Sequence, residues 1–209
     1  MAEHGGTLVT DTRATDAERV TAAQPRRGRL PGDGAMWFFV LGDMIIFGMY
    51  FVAFMIFRAG EVEAFDAAQR HLLLDAGFLN TLLLLFSSWL AARAVVEART
   101  ERSASTTRYL LGAAACGGAF LVVKLSEWFF EVNSGQTFNS GTFMAFYYVL
   151  TGVHMLHVVM GMVVIGVATW YTKRSRLVRV SVVEQATTFW HMVDLLWVVI
   201  FALLYVLRA

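Results

Sequence analysis

Three apolar stretches in the C-terminal half of the chain each carry two ionisable side chains that are three residues apart. The pairs are Lys124 with Glu127, His154 with His157, and His191 with Asp194. Residues at this spacing lie on one face of a helix, and ionisable residues in membrane-spanning helices normally face the bundle interior or a water-filled cavity. The spacing therefore predicts membrane helices that present polar faces to one another, suited to ion pairing, proton exchange or metal ligation.

Each pair also has a purely structural interpretation. Lys124 and Glu127 can form an intrahelical salt bridge, which offsets a cost of about 2.5–3.5 kcal/mol for each charge at a helix centre. His191 and Asp194 admit the same interpretation, with the carboxylate accepting a ring N–H. The two histidines of the middle pair have no acidic residue nearby in the sequence. They therefore need a partner across a helix interface.

Asp43 lies alone in the first apolar stretch, about eight residues or roughly 12 Å from its start. Its local sequence, VLGDMII, contains no cation. An unpaired carboxyl group at this depth should be protonated, reached by water, or matched by a basic group from another helix. Asp43 is thus the best candidate for a proton-accessible functional residue, and structural pairing is the alternative.

A haem held by two of the histidines is disfavoured, because two axial imidazoles must reach the same iron from facing helices. His191 is predicted near the start of its span and His157 about a dozen residues inside its own, a depth difference of roughly 10 Å. The single cysteine, Cys116, excludes an internal disulfide and a thiolate copper site within this chain. The sequence therefore predicts that the chain binds no metal and no redox cofactor.

The composition is typical of a membrane protein. Hydrophobic residues make up 57% of the 209 residues and charged residues only 16%, against about 25% charged residues in a soluble domain. The mean hydropathy is +0.58. The formal net charge of +1 gives no basic footprint for a nucleic acid.

Hydropathy predicts an all-α, polytopic helix bundle over residues 34–209, with five spans near the roughly 20 residues that cross a bilayer. The predicted spans are 35–57, 72–94, 109–130, 142–171 and 186–207. Small residues cluster at 112–118 and predict close helix packing. Residues 1–33 form a polar tail that we expect to be disordered; it lacks the apolar region of a cleavable signal.

Basic residues alternate between the segments that flank these spans. The tail, second loop and fourth loop carry 11 lysines and arginines near the span ends, whereas the first loop, third loop and C-terminus carry 3. Since basic residues concentrate on the cytoplasmic side, this asymmetry predicts a cytoplasmic N-terminus and an external C-terminus.

Several of these segments resemble subunit III of the haem-copper oxidases, in the order of that family. They are SGTFMAFYYVLTGVHMLHVVMGM (140–162), EQATTFWHMVDLLWVVIFALLYVL (184–207), LVVKLSEWFFE (121–131), LLDAGFLNTLLLLFSSWLAA (73–92) and VLGDMIIFGMYF (40–51). The resemblance covers roughly residues 34–207. Two departures stand out: five spans replace the seven of many members, and Asp43 replaces the usual glutamate. These two departures resemble the small branch of the family that is associated with nitric oxide reductase. The opening segment PGDGAMWFFVLGDM resembles that branch as well.

The resemblance implies an accessory subunit without a redox metal, in the inner membrane of a bacterium. It would pack against the catalytic subunit I, with subunit II as a second candidate partner, and these partners would hold the haem and copper. It would also bind phospholipid and support proton uptake. Asp43 would be the buried carboxylate on the proton-entry side, and Lys173 and Arg174 would contact lipid head groups. The internal polar network would comprise Lys124, Glu127, His154, His157, His191 and Asp194.

Two alternatives stay open at this point. One is an accessory protein of a nitric oxide reductase complex. The other is a stand-alone proton-linked transporter, because intramembrane Asp, Glu, Lys and His are the groups that a proton relay uses. An inverted repeat or a pair of broken helices would favour the transporter, and neither stands out in the sequence.

Overall fold

The structure, a computed structural model, describes residues 34–175 and 179–207. These ranges contain six α-helices, a terminal π-helical turn and no β-strand. The elements are α1 (Gly34–Gly60), α2 (Val62–Gln69), α3 (Leu74–Arg99), α4 (Ser103–Asn133), α5 (Thr142–Ser175), α6 (Val180–Phe201) and the π turn (Ala202–Val206). Five helices are long and apolar enough to cross a membrane, which confirms the predicted bundle. The predicted tail, residues 1–33, lies outside the described residues.

Helices α3, α4, α5 and α6 form a closed four-helix bundle, in which each helix packs against the next and α6 returns to α3. Over its most apolar window, 56% of α6 is buried within the protein, against 17% of α1. Helix α1 lies beside the bundle and contacts α5 and α6. The sequence motif around His191 is therefore placed at the centre of the fold, whereas most of α1 faces outward.

Trp190 occupies the middle of this bundle. Its indole N–H donates to Ser87 Oγ on α3 at 2.9 Å. Its ring lies so close to Gly117 on α4 and Gly161 on α5 that a Cβ at either glycine would approach it to 2.6 and 2.7 Å. Glycine lets these two helices approach the indole, as expected for small residues at membrane helix interfaces. The close helix packing predicted for the small residues at 112–118 is confirmed at Gly117.

The predicted span boundaries are wrong at two helix starts. Helix α4 begins at Ser103 and α6 at Val180, six residues before the predicted starts at 109 and 186. The added segment of α4 is polar (SASTTR), and that of α6 mixes valines with polar residues (VSVVEQ), so a hydropathy window assigns both to loops. Only Thr100–Arg102 separate α3 from α4, and Glu101 takes the left-handed conformation there (φ 57°).

Helix α2 was not predicted, and it closes the end of the bundle where α6 finishes. Phe65 of α2 is fully buried and packs edge-on against Phe54 of α1, with ring centroids 5.4 Å apart. The Gln69 amide donates to the carbonyl oxygens of Leu203 (3.0 Å) and Leu204 (3.2 Å). These bonds satisfy carbonyl groups at the π turn, where the regular helical bonding pattern changes.

Candidate functional site

Four buried side chains form a closed hydrogen-bonded network between α4, α5 and the π turn. Lys124 Nζ donates to Glu127 Oε2 at 3.2 Å, to Tyr147 Oη at 3.2 Å and to Tyr205 Oη at 2.6 Å. The other carboxylate oxygen of Glu127 accepts from both tyrosine hydroxyls, with Tyr147 at 2.9 Å. All three ammonium protons and both hydroxyl protons are thereby used. The predicted salt bridge is confirmed, and the tyrosines complete it.

Aromatic faces supply a second contribution to holding this ammonium group. Lys124 Nζ lies 4.5 Å from the ring centroid of Tyr147, 5.2 Å from that of Tyr205 and 5.4 Å from that of Trp197. Such cation–π contacts strengthen when the cation is desolvated, and Lys124 is fully buried. The Lys124 ammonium group is therefore stabilised by one carboxylate and three aromatic side chains. These contacts hold α4, α5 and the π turn together.

Sequence reasoning missed three residues of this region. Tyr147 and Tyr205 resemble ordinary aromatic residues in apolar helices, and only their burial as hydroxyl-bearing groups marks them as hydrogen-bonding candidates. Glu131 follows Glu127 by one helical turn and is 1% exposed. Its Oε1 atom has no hydrogen-bond partner within the described ranges. The i, i+4 spacing of two glutamates was the available signal for this residue.

Asp43 is matched by a basic group from another helix, one of the three possibilities raised by the sequence. Its Oδ2 atom lies 3.4 Å from Nε2 of His157 on α5, and the two side chains are 14% and 12% exposed. Nδ1 of His157 lies 2.8 Å from the Val153 carbonyl oxygen. Because a carbonyl can only accept, Nδ1 carries a proton. The contact is an ion-pair distance without a well-formed hydrogen bond, since Asp43 Oδ2 has no hydrogen-bond partner among the described residues.

His154, one turn before His157, does not find the acidic partner that we expected. It is fully buried, and neither ring nitrogen has a hydrogen-bond partner in the described part of the chain. The imidazole instead packs edge-on against Phe120 and lies tilted against Trp197, with ring centroids 5.5 and 5.2 Å apart. The prediction for His154 is wrong because apolar rings from α4 and α6 surround it.

The predicted hydrogen bond between His191 and Asp194 is not formed. Nδ1 of His191 lies 2.7 Å from the Ser88 hydroxyl of α3. Neither Asp194 oxygen makes a well-formed hydrogen bond to any described residue, although Ser88 is near enough to interact with its carboxyl group. The i, i+3 spacing placed both residues on the α3 side of α6, where Ser88 bonds to His191 and lies near Asp194.

The predicted depth difference of roughly 10 Å between His157 and His191 is also wrong, since α6 begins earlier than expected. Trp190 packs at Gly161 and Trp197 at His154, so His157 lies about one turn, or roughly 5 Å, from the level of His191. The two imidazoles nevertheless contact different helices: His157 pairs with Asp43 on α1, and His191 hydrogen-bonds to Ser88 on α3. Within the described residues, no three His, Cys, Asp or Glu side chains are grouped as metal ligands.

Lys173 and Arg174 are both exposed in the last turn of α5. The Arg174 guanidinium lies over the Trp170 ring at 5.6 Å, and Trp170 and Tyr171 are themselves about half exposed (54% and 45%). Exposed aromatic and basic residues at a helix end are typical of the membrane–water interface. Contact of these two cations with lipid head groups stays a prediction.

The profile of the cytochrome c oxidase subunit III family matches residues 33–208, a range that includes every residue the structure describes. The chain belongs to the cytochrome c oxidase subunit III family. A cytochrome c oxidase subunit 3 from Synechocystis sp. is 31% identical over 178 residues, covering 83% of this chain and 74% of the relative. One from Alkalihalophilus pseudofirmus is 28% identical over 200 residues, covering 93% and 97%.

A third relative joins two subunits in one chain. The heme-copper oxidase subunit I+III of Aeropyrum pernix is 29% identical over 184 residues, which cover 82% of this chain and 22% of the much longer relative. The subunit III family assignment confirms the resemblance drawn from the five sequence segments. Among the described residues, the six members of the predicted polar network are divided. Lys124 and Glu127 bond to each other, His157 pairs with Asp43, and His154 lies among aromatic rings. His191 bonds to Ser88, and Asp194 lies near that serine.

Proposed function

We propose that this chain is the accessory, metal-free subunit III of a haem-copper terminal oxidase complex in aerobic respiratory electron transport. The observation that carries the proposal is the family match across residues 33–208. The relative in which subunits I and III form one chain supports direct packing against the catalytic subunit I. Subunit II is a second candidate partner, and haem and copper belong to these partners.

The arrangement of the histidines fits an accessory role. His157 pairs with Asp43 on α1, His191 bonds to Ser88 on α3, and His154 is enclosed by aromatic rings. Three imidazoles directed to three different surroundings do not form a common ligand set. The polar groups of the described bundle instead hold its own helices together, which suits a subunit that stabilises a larger assembly.

The topology that we propose has a cytoplasmic N-terminus, an external C-terminus and five crossings of the bacterial inner membrane. The excess of basic residues on alternate segments, 11 against 3, supports this orientation. Alkaline phosphatase fused after Ala209 should be active, because this enzyme matures only outside the cytoplasm. The same reporter inserted after Thr100 should be inactive; the reverse pattern would overturn the orientation.

Asp43 is the proposed proton-related residue, since its carboxyl group faces the imidazole of His157 at 3.4 Å within a predicted membrane span. Asp43→Asn keeps a group that can hydrogen-bond to Nε2 but removes the exchangeable acid. If this residue supports proton uptake, the variant complex should retain its initial turnover and change its pH dependence or its working lifetime. A stand-alone proton transporter would lose most of its activity with the same substitution. Unchanged behaviour on both counts would remove the proton-related role.

Phospholipid is the proposed ligand of the α5 end, through Lys173 and Arg174. Both cations are exposed, and the adjacent aromatic residues suit the interface. Native mass spectrometry of the complex should show fewer retained anionic lipids in the Lys173→Gln/Arg174→Gln double variant. Arg108→Gln, a charge removal at an exposed position of α4, is the matched control. Equal lipid retention in both variants would contradict the assignment.

The accessory role itself is tested by turnover of the complex with and without this chain. We expect the depleted complex to keep its haem absorption and its initial rate, and to lose activity sooner during continuous turnover. Loss of the haem bands on depletion would show that the chain holds part of the redox centre. A rate and lifetime independent of the chain would refute the accessory function. Comparing oxygen with nitric oxide as the electron acceptor identifies the parent complex.

A further inference from the structure

A groove of about 250 Å³ opens between α3 and α6, near the end of the bundle where α6 begins. Arg99 and Glu184 stand at this groove, joined by an ion pair at 2.8 Å. Deeper along α6, Thr188 and then His191 line it. A water molecule occupies about 30 Å³ in the liquid, so the groove has room for several waters. Its polar lining on α6 distinguishes it from the apolar groove at Tyr50 and Ala145.

The groove leads to a buried acid through two hydrogen-bonding side chains. His191 lines the groove and bonds through Nδ1 to the Ser88 hydroxyl at 2.7 Å. Ser88 in turn interacts with the carboxyl group of Asp194, which is only 4% exposed. Neither Asp194 oxygen has a well-formed hydrogen bond to any residue in the described ranges. Contacts therefore connect the groove, His191 and Ser88, and the Asp194 acid lies next to Ser88 without a well-formed hydrogen bond to it.

Among the described residues, Asp194 forms no ion pair. On α5, the titratable residues nearest its level are His154, which is enclosed by aromatic rings, and His157, which is paired with Asp43. On α4, the level facing His154 is occupied by Phe120. On α3, the polar side chains that bond to α6 on either side of this level are Ser87 and Ser88, toward its start, and Thr81, toward its end. Because an isolated buried carboxylate is strongly disfavoured, the neutral acid is the resting form that this environment favours.

We propose that the α3–α6 groove is an aqueous inlet and that His191 and Ser88 connect it to Asp194 as a proton-exchange path. In the outward direction Asp194 gives its proton to Ser88 Oγ, and Ser88 passes its own hydroxyl proton to Nδ1 of His191. Nε2 of His191 then releases its proton to a groove water, which leaves a carboxylate and a hydronium ion. The reverse transfers restore the acid, so no atom or charge is left over.

This path goes beyond the proposed accessory function and does not depend on it. It would give the chain an exchangeable proton store on α6, separate from Asp43 on α1. Packing alone accounts for the Ser88–His191 bond, which ties α3 to α6. It does not account for a buried carboxyl group placed next to that bond without a partner of its own.

Thiol accessibility tests the aqueous inlet in the complex embedded in its native membrane. In a Cys116→Ala background, Thr188→Cys and Ala92→Cys place a thiol in the groove, and Leu195→Cys places one on the exposed outer face of α6. We expect a charged methanethiosulfonate reagent to label both groove thiols and to leave the lipid-facing one unlabelled. Groove thiols that react no faster than the Leu195→Cys thiol would overturn the proposal.

Infrared hydrogen–deuterium exchange tests the path itself. The Asp194 acid band, identified as the band lost in Asp194→Asn, should shift soon after transfer of the complex to heavy water. Ser88→Ala and His191→Leu should slow that exchange by roughly 100-fold, the scale of a positioned proton-transfer group. Ser88→Thr, which keeps the hydroxyl, and Ser126→Ala, which removes an exposed hydroxyl of α4 away from the groove, should exchange at the wild-type rate.

Three infrared outcomes would overturn the proposal: an ionised Asp194, an acid band that never exchanges, or equal exchange rates in Ser88→Ala and Ser88→Thr. Neither readout requires oxidase turnover. A failure here would therefore leave the accessory function standing, and a failure of the accessory function would leave this test intact.

Discussion

The Lys124 network predicts a large difference between removing one of its charges and removing all of its polar groups. Lys124→Met leaves the buried Glu127 carboxylate with two tyrosine hydroxyl donors and no countercharge. Breaking a buried pair from one side costs about 3–5 kcal/mol. Glu127→Leu leaves the ammonium group with the two hydroxyl oxygens and three aromatic faces, and we expect a loss in the same range.

The double variant Lys124→Met/Glu127→Leu removes both charges but leaves two buried hydroxyls without their partners. Each unsatisfied hydroxyl costs about 1–3 kcal/mol. Adding Tyr147→Phe and Tyr205→Phe removes these groups as well. The fully apolar variant should then recover most of the lost free energy of unfolding, because well-packed apolar replacements of buried ion pairs are often neutral or stabilising.

Equilibrium unfolding in mixed micelles, followed by near-ultraviolet circular dichroism, measures these differences. Ser126→Ala is the matched control on α4, since its exposed hydroxyl bonds only to the Val123 carbonyl. The two single-charge variants should not be additive in the double variant. Additive losses, or a fully apolar variant as unstable as Lys124→Met, would refute the closed network.

Three further predictions follow from packing and hydrogen bonding. Gly117→Ala should lower the free energy of unfolding by about 1–3 kcal/mol, because the new Cβ would lie 2.6 Å from the Trp190 ring. The adjacent Gly118→Ala, whose nearest contact is at 3.8 Å, should be nearly neutral in the same unfolding assay. Equal effects of the two variants would contradict the packing. Gln69→Leu should raise the amide hydrogen exchange rate in the π turn, since it removes two hydrogen bonds to carbonyl groups of that turn. An unchanged exchange rate would show that the turn is stable without Gln69. Asp43→Leu should shorten the working lifetime of the complex more than Asp43→Asn does, because the amide introduced by Asp43→Asn can still donate a hydrogen bond to the imidazole of His157. Identical lifetimes of the two variants would count against the pairing of Asp43 with His157.

The membrane bundle could be predicted from hydropathy because five long apolar stretches have few other stable arrangements. The Lys124–Glu127 pair was predictable for a similar reason: within one helix, the i, i+3 spacing alone brings the side chains together. Its tyrosine partners were not, since they come from α5 and from the π turn that follows α6. The surroundings of a charge depend on which helices are neighbours, and spacing along one helix does not contain that information.

His191 and Asp194 show the limit of the same rule. Their spacing correctly places both on the α3 side of α6, but the serine of α3 interacts with both of them in place of a direct bond. Ser88 lies in the segment FSSWLAA, where a serine normally signals no more than close packing. The eight-residue helix α2 was missed because it is polar and short, and because Phe65 and Gln69 reveal their burial only against α1 and the π turn.

The measurement that tests the central claim most directly is purification of the tagged chain from native membranes in a mild detergent. Optical spectra and mass identification of the co-purifying proteins provide the readout. The account predicts a haem-copper catalytic subunit, with its haem absorption bands, in constant ratio to this chain. A colourless protein that purifies alone and stays folded would contradict it and favour an independent transporter.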